Sequence, residues 1–284
     1  MTGNPIHFAI LGDSAASGVG DSDENHNYFG WAYHLAKAFA EPITYINVSR
    51  PGAQSQEVLD VQLPKILHMK PDLVAVIVGG NDLLRNGFSP KVLENNLNHT
   101  LLKIEEMGAI SMLIELHDPT QIVPMPALLK RVCARRVNAV NRITRKMAMR
   151  YGSIFLETRS LPDIYNLEKW HVDRMHPSRA GHQFIADSFA HLLRKRGFDV
   201  NHIDFTCGNN RSRKDSVIWM IKNGTPWFFK RSFDLLPAVL LLMAKELLSI
   251  ALRENHDEVA KVHFPQFSQI EDSANDSSEM MRVS

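Results

Sequence analysis

The stretch Ile6-His7-Phe8-Ala9-Ile10-Leu11-Gly12-Asp13-Ser14 decides the fold. A short apolar run stops abruptly at a glycine and two polar residues. Such a run reads as a buried strand that opens into a turn at its carboxyl end. The figure recurs downstream. Ile43 to Val48 leads to Arg50-Pro51-Gly52, and the valine-rich Leu73 to Val78 leads to Gly79-Gly80-Asn81-Asp82. A continuous apolar run suits a central parallel strand covered on both faces.

Helical patterns fill the gaps. Tyr28 to Ala40 reads as a helix, and Gln54 to Met69 as a helical stretch interrupted at Pro64. Ser89 can cap a third helix, with Pro90 at its first position and Gly108 after its end. Within it Leu93, Leu97, Leu101, Ile104 and Met107 share one face. Ile110 to Leu116 is a fourth strand and Leu128 to Tyr151 a long helix, with Leu129, Cys133, Val137, Val140, Ile143 and Met147 as its stripe. Ser153 to Leu156 reads as a short fifth strand, and Ser178 to Arg196 as a last helix stopped by Gly197. This alternation implies an α/β fold: a three-layer α/β/α sandwich with a parallel five-stranded sheet. Ligands of open parallel sheets bind beyond the carboxyl ends of the strands. Ser14, Gly52 and Asn81 all fall at such ends.

The bulk properties are those of a globular protein. The chain has 284 residues, 44% hydrophobic and 22% charged, with a formal net charge of +1. That balance argues against broad nucleic-acid binding. The two cysteines, Cys133 and Cys207, form no metal-ligand cluster and read as reduced thiols. The first residues lack a basic segment followed by a long apolar one, and no run approaches the ~20 residues of a membrane span. A cytoplasmic location is the expectation.

The late stretch Asp173-Arg174-Met175-His176-Pro177 supplies what the first strand lacks. A serine hydroxyl is a weak nucleophile and needs an adjacent base. His176 is the candidate base and Asp173 the carboxylate that orients it, both presented by one loop. Ser14, His176 and Asp173 together make the constellation of a serine esterase. The Ser14 and Gly52 N–H groups and the Asn81 side chain are candidate oxyanion donors. Singly, Ser14 reads better as a helix N-cap, and Asp173 and His176 as part of a surface loop; together they favour catalysis.

These residues resemble the SGNH, or GDSL-like, hydrolases, a family of esterases, lipases and related acyl hydrolases. The resemblance covers roughly residues 6 to 196, with four blocks in order: Gly12-Asp13-Ser14, Gly52, Gly79-Gly80-Asn81-Asp82 and Asp173-Arg174-Met175-His176. It implies the flavodoxin-like fold of that family. It also implies Ser14 as nucleophile, His176 and Asp173 as base and acid, and Ser14, Gly52 and Asn81 as the oxyanion hole. No metal or organic cofactor is implied. Ala15 stands where the family name has leucine, and Arg50-Pro51 precedes the second-block glycine. The substrate implied is a small-molecule or lipid acyl ester. Thioesterase or acyltransferase activity on the same site is an alternative, and so is a catalytically silent protein that binds a membrane or a partner.

Other motifs fail. The elbow G-x-S-x-G of the larger α/β-hydrolase fold would need glycine where Ala16 stands. Gly12, Gly18 and Gly20 fit neither dinucleotide nor P-loop spacing. Asp21, Asp23 and Asn25 imitate a calcium loop, but His26 and Ala32 replace its glycine and final glutamate. They read as a polar loop over the mouth of the site. Arg131, Arg135, Arg142 and Arg145 read as a solvated helix face.

Residues 1–200 are thus assigned to a hydrolase domain, 201–267 to a mostly helical, aromatic and basic C-terminal extension, and 268–284 to a disordered tail. In the extension, Trp219, Trp227, Phe228 and Phe229 are interleaved with Arg211, Arg213, Lys214, Lys222, Lys230 and Arg231. That mixture suits either peripheral membrane contact through residues 207–252 or packing on the hydrolase domain or a second subunit. Oligomeric state is not legible.

Overall fold

A computed structural model describes residues 5–23, 27–85 and 87–205. The aromatic and basic stretch, the helix expected from Phe233 to Leu252, Cys207 and the polar tail lie outside the described residues. In chain order the elements are β1 (Ile6–Gly12), α1 (Ser14–Ser17), α2 (Gly30–Ala38), β2 (Ile43–Asn47), α3 (Ser55–Glu57), α4 (Leu63–Leu67), β3 (Leu73–Ile77), α5 (Gly80–Leu84), α6 (Pro90–Glu106), β4 (Ile110–Ile114), α7 (Ala127–Arg150), β5 (Ile154–Leu156) and α8 (Arg179–Lys195). The five strands pair in parallel in the order β2-β1-β3-β4-β5. The order reverses between β1 and β3, and the crevice of such a sheet opens at that switch point.

The central strand β3 is apolar and buried throughout because both its faces are covered. Along β1, Phe8 and Ile10 face one layer while Ala9 and Leu11 face the other. Along β3, Leu73, Ala75 and Ile77 join the first cluster, and Val74 and Val76 the second. Alternate side chains of a strand point to opposite faces, so each strand feeds both cores. The first layer is α2 and α8, where Trp31 stacks on Phe189 with ring centroids 4.9 Å apart. The second is α3, α4, α6 and α7, with Leu93, Leu97, Leu101 and Ile104 of α6 fully buried against it.

The helix punctuation behaves as the sequence suggests. Ser89 accepts from Val92 N–H at 3.4 Å at the start of α6. At its end Gly108 adopts φ +76°, and Ala109 N–H returns to the Ile104 carbonyl at 3.2 Å. The expected interruption at Pro64 takes another form. Residues Val58–Gln62 make a π-helical turn between α3 and α4, and Leu63 N–H reaches the Val58 carbonyl. The wider turn falls just before the proline, whose ring and missing N–H disfavour a regular α-helical bond.

The loop between α1 and α2 requires a correction. Asp21 is not a solvated residue over the mouth of the site; its side chain is fully buried. Its carboxylate is 2.6 Å from His34 Nε2, accepts from Arg179 Nε at 2.6 Å and from Gly30 N–H at 3.3 Å. Burial raises the Asp21 carboxyl, but His34 and Arg179 outweigh it and bring it down to about 2. Nearby, His182 of α8 accepts from Trp31 N–H at 3.1 Å and lies 3.0 Å from the Val19 carbonyl. That pairing fixes Nε2 as the donor, so the ring is neutral. Among the described residues no helix is long and apolar enough to cross a membrane.

Burial pushes His182 down to about 4. The unfolded chain takes up a proton below its ordinary value of about 6.5, whereas the folded chain resists. The stability tied to neutral His182 is therefore complete above about pH 6.5 and lost as pH falls towards 4. The loss is on the order of 3 kcal/mol. Thermal melts should show Tm falling over that window, and the fall should shrink in His182→Gln. The same slope in both proteins would contradict this assignment.

Candidate active site

The first strand delivers Ser14 through a position that only glycine fills. Gly12 has φ +142°, and a Cβ there would sit 2.1 Å from the Ile77 carbonyl oxygen. Gln62 grips the same residue, accepting from Gly12 N–H at 2.7 Å and donating to its carbonyl at 2.9 Å. Asp13 then caps α1, its Oδ1 accepting from Ala15 N–H at 3.0 Å. The cap is therefore Asp13, and Ser14 is the first helical residue. Its N–H has no hydrogen-bond partner among the described residues.

The second block is pinned beside the first. Arg50 N–H donates to the Gly12 carbonyl at 3.1 Å, and Ala53 N–H closes a turn onto the Arg50 carbonyl at 3.0 Å. Pro51 and Gly52 form the corner, with Gly52 at φ +87°. A turn of this kind calls for glycine at its second corner position. The Gly52 N–H is likewise unpartnered among the described residues. Arg50 itself pairs with Glu57 and so braces the turn.

The third block locks onto that turn. Asn81, near the start of α5, donates from Nδ2 to the Ala53 carbonyl at 3.1 Å and lies 3.5 Å from Asp13 Oδ2. Asp82 accepts from Ser55 N–H at 3.1 Å and from Ser55 Oγ at 2.5 Å. Asn96 of α6 donates to the same hydroxyl at 3.1 Å. Asn81, Asp82, Ser55 and Asn96 are all buried. Burial raises the Asp82 carboxyl, an effect its Ser55 contacts oppose. It also pushes Asp13 up to about 6, with Ala15 N–H and the nearby His176 acting the other way.

The fourth block closes the site from the far end of the chain. His176 Nε2 lies 2.8 Å from Ser14 Oγ, across 162 positions of sequence. His176 Nδ1 lies 2.8 Å from Asp173 Oδ2. Asp173 Oδ1 accepts from Met175 N–H at 2.9 Å and His176 N–H at 3.0 Å, which turns the carboxylate back into its own loop. Burial would raise Asp173, but His171, His176 and Met175 N–H hold it well below the usual carboxylate range. Arg174 adopts φ +55°, and its guanidinium donates to the Ile122 carbonyl at 3.2 Å. The loop is thereby tied to the segment after β4.

Ser14, His176, Asp173, Gly52 and Asn81 are thus brought to one end of the sheet. Several neighbours escaped the sequence reading. His117, after β4, packs on Trp170 with ring centroids 3.9 Å apart, and burial pushes it down to about 4. His171 lies 3.4 Å from Asp173 Oδ2. Asp82 and Ser55 hold the second and third blocks together. The His117–Trp170 and Ser55–Asp82 contacts span long stretches of chain, and no short-range pattern announces them; His171 is only two positions from Asp173, and that local spacing is the signal for it.

The arrangement has known relatives. The profile of the GDSL-like lipase/acylhydrolase family matches residues 10–184. A thioesterase 1/protease 1/lysophospholipase L1 from Escherichia coli strain K12 is 30% identical over 196 residues, 68% of this chain and 84% of its own. An arylesterase from Vibrio mimicus is 28% identical over 191 residues, 66% of this chain and 87% of its own. The solved structure of the psychrotrophic esterase EstA from Pseudoalteromonas sp. superposes with a TM-score of 0.53. It is 22% identical, covers 67% of this chain and 97% of its own, and shares the fold. The chain belongs to the GDSL-like lipase/acylhydrolase family, and it is a carboxylic ester hydrolase.

Asp82→Ala removes the acceptor of two buried Ser55 groups. Unfolding in urea should report a loss of about 1–3 kcal/mol, the cost of leaving such donors unsatisfied. A loss below ~0.5 kcal/mol would show that water or another group replaces the carboxylate.

Proposed function

We propose that the chain cleaves acyl esters through a Ser14-His176-Asp173 triad and an acyl-enzyme intermediate. The observation that carries this reading is the pair of 2.8 Å contacts joining Ser14 Oγ, His176 and Asp173. Geometry of this kind lets His176 take the serine proton as Oγ attacks the carbonyl carbon. Asp173 fixes the ring with Nδ1 as donor and stabilises the imidazolium that forms. His176 then returns the proton to the departing alcohol. Water, activated by the same imidazole, adds to the acyl-enzyme and releases the acid.

The negative charge of the tetrahedral intermediate falls to the Ser14 and Gly52 N–H groups and the Asn81 amide. The reading is supported by the two backbone donors having no partner of their own among the described residues. It is also supported by the fixed position of Asn81, whose amide is held against the Ala53 carbonyl. Donors set in place before reaction are worth more than donors that must reorganise.

A second reading, thioester cleavage on the same serine, is favoured by the Escherichia coli relative, which is named a thioesterase and lysophospholipase. The same acyl-enzyme serves both reactions, since only the leaving group differs.

Hydrolysis of p-nitrophenyl esters from acetyl to palmitoyl, beside matched acyl thioesters, tests the proposal. Ser14→Ala should lower kcat by roughly 10⁴- to 10⁶-fold on every substrate turned over. Asn81→Ala, which removes a donor, should cost roughly 10²- to 10³-fold; Gly52→Ala keeps its N–H but strains a φ of +87°, and should lower kcat by displacing that donor. Wild-type turnover in Ser14→Ala would refute the triad.

A further inference from the structure

Asp173 serves two imidazoles. The loop that carries it is closed at its base by a bridge between Trp170 and Pro177 and by Ser178 N–H donating to the Lys169 carbonyl at 2.9 Å. Inside that closure His171 N–H donates to the His176 carbonyl at 2.8 Å, and Arg174 N–H to the His171 carbonyl at 2.8 Å. These bonds bring the side chains of His171 and His176 to the same oxygen of Asp173. His176 Nδ1 lies 2.8 Å from Asp173 Oδ2, and His171 Nδ1 lies 3.4 Å from the same oxygen. All three side chains are largely shielded, at 19%, 22% and 10% exposure for His171, Asp173 and His176.

We propose that His171 is a positioning residue of the active site: it pairs with the same Asp173 Oδ2 that His176 uses and shares that oxygen's charge. The proposal rests on the triad reading above. Its physical basis is the division of one anion between two partners. His171 Nδ1, 3.4 Å from Oδ2, is a second partner for that oxygen and makes the carboxylate a weaker partner for imidazolium at His176. The same contact restrains the carboxylate while His176 gains and loses its proton.

Other titratable groups surround the pair. Asp13, His117 and His182 each interact with the charge on His176. The Asp21, His34 and Arg179 cluster lies next to Gly20, where an added Cβ would come within 3.4 Å of His171 Cβ. Their contributions are common to the native protein and to variants at position 171. A difference between those proteins isolates His171.

The test is the pH profile of kcat/KM for p-nitrophenyl ester hydrolysis, measured on the full chain as native protein, His171→Ala and His171→Gln. Ser14→Ala serves as a control for the triad. In His171→Ala the carboxylate's charge goes undivided to His176. The acid limb should move to higher pH by about half a unit or more. The looser Asp173 should lower kcat about threefold or more with KM unchanged. Glutamine restores a neutral donor, and His171→Gln should recover kcat and bring the limb back towards the native position. An acid limb that stays in place in both variants would overturn the proposal, even with a reduced kcat, since a purely structural role would lower kcat without moving it. If His171→Ala does not fold, the limb of His171→Gln decides against native protein, with a smaller shift of the same sign expected. Full activity in Ser14→Ala would defeat the triad reading itself. An inactive Ser14→Ala beside unmoved His171 variants would defeat this inference alone.

Discussion

The fold depends on one buried imidazole that joins segments distant in sequence. His182 accepts from Trp31 N–H and pairs with the Val19 carbonyl, contacts that span 151 and 163 positions. Val19 lies just after the helix that begins at Ser14, and His182 lies in the first turns of the helix that follows His176. One ring thus sets the distance between the segment that carries Ser14 and the segment that carries His176. The Asp21–Arg179 contact at 2.6 Å and the Trp31–Phe189 stack reinforce the same join. Buried polar groups are costly unless paired, and here every pairing also fixes the register of α8 against α2.

A second set of bonds aligns the other side of the crevice. Arg50 N–H on the Gly12 carbonyl, Asn81 on the Ala53 carbonyl and Asp82 on Ser55 chain three loops into one rim. Each loop follows a different strand, and the three strands β2, β1 and β3 are neighbours. The parallel sheet brings the loops near one another, and the side-chain bonds remove their remaining freedom. Reactions that stabilise charge by fixed dipoles need that rigidity.

Much of this was legible in the sequence, for physical reasons that differ from element to element. The strands could be read because a parallel sheet buried on both faces demands uninterrupted apolar runs such as Leu73 to Val78. Helices α6 and α8 could be read because Ser89, Gly108, Ser178 and Gly197 punctuate them. The placement of Ser14, Gly52 and Asn81 at strand ends followed from alternation alone. The short helices α1 and α5 escaped because each is barely one turn and carries no apolar period. The π-helical turn before Pro64 escaped because a proline announces a disturbance without specifying its shape. Asp21 was misread because an acidic residue in a polar stretch gives no sign of Arg179, its partner 158 positions away. His117 and Asp82 share that character, since Trp170 and Ser55 are brought to them by tertiary packing, whereas His171 pairs within its own loop with Asp173.

The central claim is that Ser14 is an activated nucleophile. The most direct measurement is labelling with a fluorophosphonate probe, followed by mass spectrometry of the modified peptide. The account predicts one label per chain, located on Ser14, absent from Ser14→Ala and greatly slowed in His176→Ala. Label on another residue, or label on Ser14 at an unchanged rate when His176 is removed, would contradict it.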